Sequence, residues 1–259
     1  MTLEKGASPL TPTDRLAALR AELARQGVDG LLVPRADEFL GEYAPASAER
    51  LAWLSGFTGS AGLAIVMPDR AALFTDGRYT TQAAAETDLA LWERRHVTEQ
   101  PPVEWLREHA QGLRIGYDPW LISEAGLKRL QAKGVTLVPL SANPVDAIWR
   151  DRPAPPRTPP VPHPLDYAGE TAETKRQAAA AALRAAGEDA AVLADPHALA
   201  WLLNIRGGDL DHTPLALGFG LLHADGSVAL HLDPARVPAE TRAHLGNAVT
   251  VRPVEELAA

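Results

Sequence analysis

Leu16, Leu19 and Leu23 recur three and then four residues apart, the spacing of one helical face. Thr11 stands where it can cap the free N–H groups, Pro12 suits the first helical position, and Asp14 favours the positive end of the helix dipole. Gly27 is the expected stop. The apolar run Leu31-Leu32-Val33 predicts a buried strand, and Pro34 to Ser47 a surface loop. Glu49 to Ser55 predicts a short helix ended by Gly56. The loop Gly56-Phe57-Thr58-Gly59-Ser60-Ala61-Gly62 then leads into a strand over 63–66, which returns over 71–75 through Pro68-Asp69-Arg70 as an antiparallel hairpin. Asp76 is expected to cap a helix over 79–86. Strands near 89–93, 114–117 and 136–138 alternate with helices near 103–110 and 124–133, and 143–150 predicts a closing helix. Such alternation implies a mixed sheet covered by helices, an α/β domain.

From Arg152 to Pro164 seven of thirteen residues are proline, which predicts a semi-rigid extended linker and no regular element. The pattern then starts again. A helix over 170–186 stopped by Gly187, a strand over 190–194, a short helix over 196–203 and strands over 215–223 and 227–232 follow in order. Two short strings repeat: Ala52-Trp53-Leu54 in Ala200-Trp201-Leu202, and ALFTD (72–76) in ALHLD (229–233), at offsets of 148 and 157. Two copies of one α/β unit are therefore expected. The first copy continues for roughly 50 residues beyond the point equivalent to Val249–Arg252, so the second is expected to be C-terminally incomplete, with Val254-Glu255-Glu256-Leu257 as the first turn of a helix.

Composition narrows the chemistry. A chain of 259 residues that is 46% hydrophobic can bury a real core, and a formal net charge of -8 with no Lys/Arg cluster argues against nucleic acid as a partner. Zero cysteines exclude disulfides, thiol catalysis and thiolate metal sites. MTLEKGASPLTPTDR contains no signal-like apolar run, and no apolar stretch approaches the roughly 18 residues that span a membrane. The expectation is a soluble, cytoplasmic protein with no membrane partner.

The eight histidines (96, 109, 163, 197, 212, 223, 231, 244) form no HxH or HExxH arrangement, and His223 and His231 are expected to face solvent. The glycines 56, 59 and 62 suggest a phosphate cradle, but no Lys-Ser/Thr end follows and the next element is a strand, so a close-packed structural turn is the better reading. In Asp76-Gly77-Arg78-Tyr79 the local reading is a helix cap plus an ion pair from Arg78. Asn204-Ile205-Arg206-Gly207-Gly208-Asp209, followed by His212-Thr213-Pro214, is the richest polar cluster. Its paired glycines imply a tight turn, with Arg206 and Asp209 able to pair across it. Trp53 and Trp201 hold equivalent repeat positions, so both are expected in the core, whereas Trp120 beside Pro119 suits an exposed contact.

LAWLSGFTGSAGLAIV (51–66), ALFTDGRYTTQA (72–83), IGYDP (115–119), NPVDAIWRDRP (143–153), DYAGE (166–170) and LAWLLNIRGGDLDHTP (199–214) together resemble the N-terminal, non-catalytic part of the Xaa-Pro aminopeptidases (aminopeptidase P) in their long three-domain form, within the creatinase/prolidase-type metallopeptidases. The resemblance implies two tandem creatinase-type domains, 1–151 and 165–259, joined by the linker 152–164. It also implies an activity for the whole enzyme: hydrolytic release of the residue preceding proline. That chemistry would use two divalent ions, usually manganese, in a C-terminal domain with two Asp, one His and two Glu ligands. No catalytic or metal residue is thereby assigned to this chain. The implied partners are its own C-terminal catalytic domain, proline-containing peptides and a second subunit in a homodimer. Because the family's N-terminal domains overhang the catalytic cleft, Arg78, Arg206 and His212 become candidates for substrate access. Gly56, Gly59, Gly62, Asp76, Gly207 and Asp209 are assigned structural roles. Here Leu210-Asp211-His212-Thr213-Pro214 departs from the tyrosine or asparagine that relatives often carry before the proline. The alternative is a free-standing, catalytically silent creatinase-type module for interaction or small-ligand binding. A third reading, that the chain is itself a hydrolase, would require a nucleophile arrangement that the sequence does not contain.

Overall fold

The computed structural model describes residues 10–258. The expectation of no leader-like run in MTLEKGASP lies outside the described residues. The chain divides into two compact units, Met1–Ala154 and Pro155–Ala259.

In the first unit, helix α1 (Pro12–Gln26) begins with a reciprocal capping box between Thr11 and Asp14 and ends on a left-handed Gly27. Strand β1 (Gly30–Pro34), helix α2 (Arg50–Ser55), strands β2 (Leu63–Val66) and β3 (Ala71–Thr75), helix α3 (Thr80–Glu86) and strand β4 (Glu93–His96) follow. Helix α4 (Pro102–His109), strand β5 (Arg114–Tyr117), helix α5 (Glu124–Leu130), strand β6 (Thr136–Pro139) and helix α6 (Pro144–Ile148) complete the unit. The sheet order is β4-β3-β2-β1-β5-β6, with β2 antiparallel to both neighbours and the other pairs parallel. Alternate strand residues feed two cores. Leu31, Val33, Ala64, Val66, Ala71 and Leu73 meet the Leu16-Leu19-Leu23 stripe of α1, Leu51 and Leu54 of α2, and Val145 of α6. Leu32, Ile65, Ala72 and Phe74 meet Trp105 and Leu106 of α4 on the opposite face. Each buried Val, Leu, Ile or Phe side chain contributes about 1.5–3 kcal/mol, so a sheet covered on both faces is the main source of this unit's stability.

The second unit comprises β7 (Val161–Pro162), α7 (Leu165–Ala168), α8 (Ala172–Ala186), β8 (Ala190–Leu193), α9 (Pro196–Leu203), β9 (Ile205–Arg206), β10 (Phe219–His223), β11 (Val228–His231), α10 (Ala239–Leu245) and β12 (Val249–Arg252). Its main sheet runs β12-β11-β10-β8. The pairings, antiparallel β8–β10–β11 and parallel β11–β12, repeat those of β1–β2–β3–β4. The two repeated strings fall on α2/α9 and on β3/β11. Helix α8 matches α1 in length, Thr cap and left-handed Gly stop. One core forms here, from α9, α10 and the inward residues Leu222, Val228 and Leu230.

Several expected elements shift. The strand placed near 89–93 starts at Glu93, because Trp92 enters the core ahead of it. The helix from Glu124 stops at Leu130. Leu215 to Gly218 lie outside any strand, so β10 starts at Phe219. Residues 254–258 form a 3-10 turn. The proline-rich stretch is not free of elements: Val161–Pro162 pairs with β9, Thr241 donates to the Pro160 carbonyl at 2.7 Å, and Thr158 Oγ1 donates to Gly208 O at 3.1 Å. Proline lacks an N–H but keeps its carbonyl acceptor, and the second unit uses that acceptor. Among the described residues no helix is long and apolar enough to cross a membrane.

Candidate functional site

The loop 56–62 closes by close approach. Gly56 is left-handed (φ 84°) and its N–H donates to Ala52 O at 2.8 Å. A Cβ on Gly59 would lie 2.3 Å from the Phe57 ring, and one on Gly62 would lie 2.8 Å from Leu51. Phe57 meets Tyr79 edge-on at 5.9 Å, and Ser60 Oγ lies 2.7 Å from the Tyr79 hydroxyl. The loop's amides are partly committed: Thr58 N–H donates to the Glu86 carboxylate at 2.8 Å and Phe57 N–H donates to Ser55 Oγ. Burial works against the Glu86 carboxylate, but the N–H and hydroxyl of Thr58 and the Gln82 amide outweigh it and hold its pKa below the usual range.

Asp76 does not cap α3. The helix starts at Thr80 with Tyr79 in the capping position and no side-chain cap. Asp76 instead closes a turn on itself, accepting the Arg78 N–H at 2.9 Å, as a short carboxylate favours. It also accepts the Arg78 guanidinium at 2.8 Å. These bonds lower its pKa to about 2. The Arg78 side chain remains 66% exposed and lies over the Tyr79 ring at 5.1 Å.

In the second unit the corresponding connection, between α9 and β10, is built around Asp209. The expected Arg206–Asp209 pair does not form. Arg206 donates to the Ala200 and Ile205 carbonyls at 3.0 and 2.8 Å, because β9 turns its stem back along α9. Asp209 is buried and pairs with Arg236 at 2.5 Å, while also accepting the N–H groups of Leu217 and Thr158 at 2.8 and 3.2 Å. Gly207 sits where a Cβ would lie 2.6 Å from Ala216 N. His212 is exposed and left-handed (φ 57°). Arg78 belongs to the first unit, and Arg206 and His212 to the second. Arg236 is the residue that sequence reasoning missed. The repeat carries its signal, since ALFTD and ALHLD are each followed by an arginine, Arg78 and Arg236. Arg78 returns to its own Asp76, whereas Arg236 turns inward and Asp233 instead pairs with Arg157.

Two further expectations need correction. His231 is buried, with Nδ1 3.1 Å from Pro253 O, because the turn after β12 folds back over the end of β11. Trp201 is 54% exposed, whereas its counterpart Trp53 is half-buried and stacks on Trp149 at 5.3 Å. Trp120 is 45% exposed. Among the described residues no group of three or more His, Asp or Glu could hold a metal ion. Pairs such as His197–Asp195 at 2.9 Å stand alone, so these residues do not fit a dinuclear centre.

Two family models, each describing a creatinase/prolidase N-terminal domain, match residues 15–150 and 151–259. A probable Xaa-Pro aminopeptidase P of Neosartorya fischeri is 36% identical over 254 residues, 95% of this chain and 38% of that protein. Its counterpart in Coccidioides posadasii is 36% identical over 96% of this chain and 42% of its own length. The crystal structure of a Caenorhabditis elegans X-prolyl aminopeptidase, described as a cytosolic enzyme with a di-nuclear active site, superposes with a TM-score of 0.88 at 32% identity, covering 95% of this chain and 43% of that one. The chain thus spans less than half the length of these relatives, and both family models place the likeness in N-terminal domains. The duplicated topology and the paired matches agree: the chain belongs to the creatinase/prolidase N-terminal domain family, in two tandem copies.

Proposed function

We propose that the chain is the N-terminal, non-catalytic portion of an Xaa-Pro aminopeptidase, and that its two units shape access to a metal centre carried elsewhere in the polypeptide and contribute to subunit contacts. The observation that carries this reading is the extent of the likeness, 36% identity across 95% of the chain. In this reading the whole protein is a cytoplasmic homodimer that releases the residue preceding proline from peptides, using two divalent ions, manganese in the first instance. Within the chain, Arg78 is the best candidate to meet a peptide carboxylate, because its guanidinium is exposed. Arg206 is the weaker one, being committed to backbone carbonyls. His212 contributes only an exposed position at the loop tip.

The test is Mn²⁺-dependent release of the N-terminal residue from an Xaa-Pro peptide, by the 259-residue chain and by the longer gene product. Turnover and retained metal are expected only in the longer protein. Turnover by the 259-residue chain that tracks bound manganese through repurification, or a longer protein inert towards such peptides, overturns the reading.

A further inference from the structure

The second unit contains a cavity of about 640 Å³, lined wholly by residues within 162–248. A pocket of that size holds a small organic ligand. Its walls are the chain leading into α7, the first turns of α8, Asn204 after α9, and the end of α10. Arg176 lines it as well. Helix α8 repeats α1 without a gap, from the caps Thr11 and Thr171 to the stops Gly27 and Gly187. In that register Arg176 stands where the first unit buries Leu16. Among the described residues three arginines are buried, Arg50, Arg176 and Arg236. Arg50 pairs with Glu38 and Asp146, and Arg236 with Asp209. Arg176 is only 6% exposed, donates from Nη1 to Gly226 O at 2.6 Å and leaves Nε without a partner. No carboxylate among the described residues lies in ion-pair range of it. Lys175 beside it is buried too, and its Nζ meets Asn204 Oδ1 at 2.7 Å and the Trp201 carbonyl at 3.1 Å. A buried charge without a counter-ion is costly, so these two cations favour an anion that the chain itself does not supply.

The N-terminus of α8 opens on the same cavity through Thr171, Ala172 and Glu173, where free N–H groups and the helix dipole attract negative charge. In α1 that end is already occupied, because Asp14 accepts the Thr11 N–H. In α8 the matching residue is Thr174, which brings a hydroxyl and no charge. His163, half-buried on the lining, has its pKa pushed down by burial and then by the charges of Arg206 and Lys175. Glu173 and Glu240 are exposed carboxylates on the same lining. They oppose a dianion but suit a ligand that carries an ammonium beside its anionic group, while Leu165 and Leu245 add apolar wall. We propose that this cavity binds a free α-amino acid with an apolar side chain. Its carboxylate lies between the Arg176 guanidinium and the α8 N-terminus, and its ammonium faces Glu173 and Glu240. The site belongs to the second unit alone and does not depend on the peptidase reading.

The probe is L-leucine, titrated into the 259-residue chain and followed by the ring resonances of His163 and His244 and by the unfolding midpoint. Both should respond saturably, the midpoint rising because the ligand binds only the folded protein. L-leucinamide lacks the carboxylate and should bind roughly 10-fold more weakly or worse, since a charge-assisted pair with arginine is lost. Isocaproate, the same skeleton without the ammonium, should also bind more weakly. Arg176→Leu, which installs the first unit's residue, should abolish the response. Because that variant also releases the Gly226 carbonyl, the exposed pair Glu173→Gln with Glu240→Gln gives an independent arm: it should bring leucine and isocaproate to similar affinity. No saturable response to L-leucine, equal binding of L-leucinamide, an unchanged preference in the double glutamine variant, or inorganic phosphate binding more tightly than leucine would each overturn the assignment.

Discussion

The connection from helix to hairpin is made twice in this chain, and the two versions rest on opposite physics. Between α2 and β2 it takes seven residues, 56–62, and works by leaving side chains out: Gly59 and Gly62 let the backbone pass against Phe57, Leu51 and Tyr79. Between α9 and β10 the connection runs over 204–218, about twice as long, and carries β9 within it. A longer loop has more backbone donors to bond wherever it is buried, and Asp209 supplies acceptors for Leu217 and Thr158 while Arg236 neutralises its charge. The short loop combines close packing with a few polar bonds, Thr58 N–H to the Glu86 carboxylate among them. The long one is held by a desolvated ion pair, whose attraction must offset the cost of burying both charges.

The sharpest way to break this comparison is to remove one charge. Asp209→Ala should destabilise the second unit by about 3–5 kcal/mol, because it leaves Arg236 buried and unpaired, with the first unit's unfolding midpoint unchanged in urea titrations resolved by hydrogen exchange. The double change Asp209→Leu with Arg236→Met should recover only part of that loss, since the Leu217 and Thr158 N–H groups stay unbonded. Full recovery would show that the charges themselves were dispensable.

Glycine replacements come next. Gly59→Ala should cost the first unit about 1–3 kcal/mol, with Gly207→Ala at the upper end for the second, since its obstacle is the Ala216 backbone and not a movable ring. A neutral Gly59→Ala would mean the first loop is looser than its contacts suggest.

The smallest effect belongs to Asp76–Arg78. The folded-state pKa of Asp76, about 2, lies below its ordinary 3.8. Its contribution is therefore present above about pH 4 and is lost as pH falls through about 2. The pair is exposed, so Asp76→Asn should differ from the parent only slightly in low salt above that range. The two should converge in acid or in about 1 M salt.

Much of this architecture is legible in the residues, and the illegible part has a common cause. Local rules place α1, α8 and the β2–β3 hairpin correctly, because caps, glycine stops and an apolar run bounded by Pro68-Asp69-Arg70 are short-range signals. Strand β4, Glu93-Arg94-Arg95-His96, is read wrongly because an edge strand can be polar throughout, while the apolar residues ahead of it, up to Trp92, serve the core from a turn. Asp76 looks like a cap until Arg78 competes for it. The Asp209–Arg236 pair spans 27 residues, and no spacing rule predicts which arginine a buried aspartate selects. The exposure of Trp201 was hidden for the opposite reason. The repeat equates it with Trp53, but burial depends on Trp149, which has no counterpart in the residues present.

The distribution of tryptophans also gives the protein an internal optical label. Five indoles, at 53, 92, 105, 120 and 149, lie in the first unit, and Trp201 is the second unit's own. Trp92 and Trp105 are buried and should emit at short wavelength, whereas Trp201 is open to solvent with a lysine ammonium over its ring. Iodide, drawn by that cation, should quench Trp201 preferentially. With Trp120→Phe removing the other strongly exposed indole, the quenchable fraction of the emission becomes a direct reading of what stands in front of the second unit's helix layer.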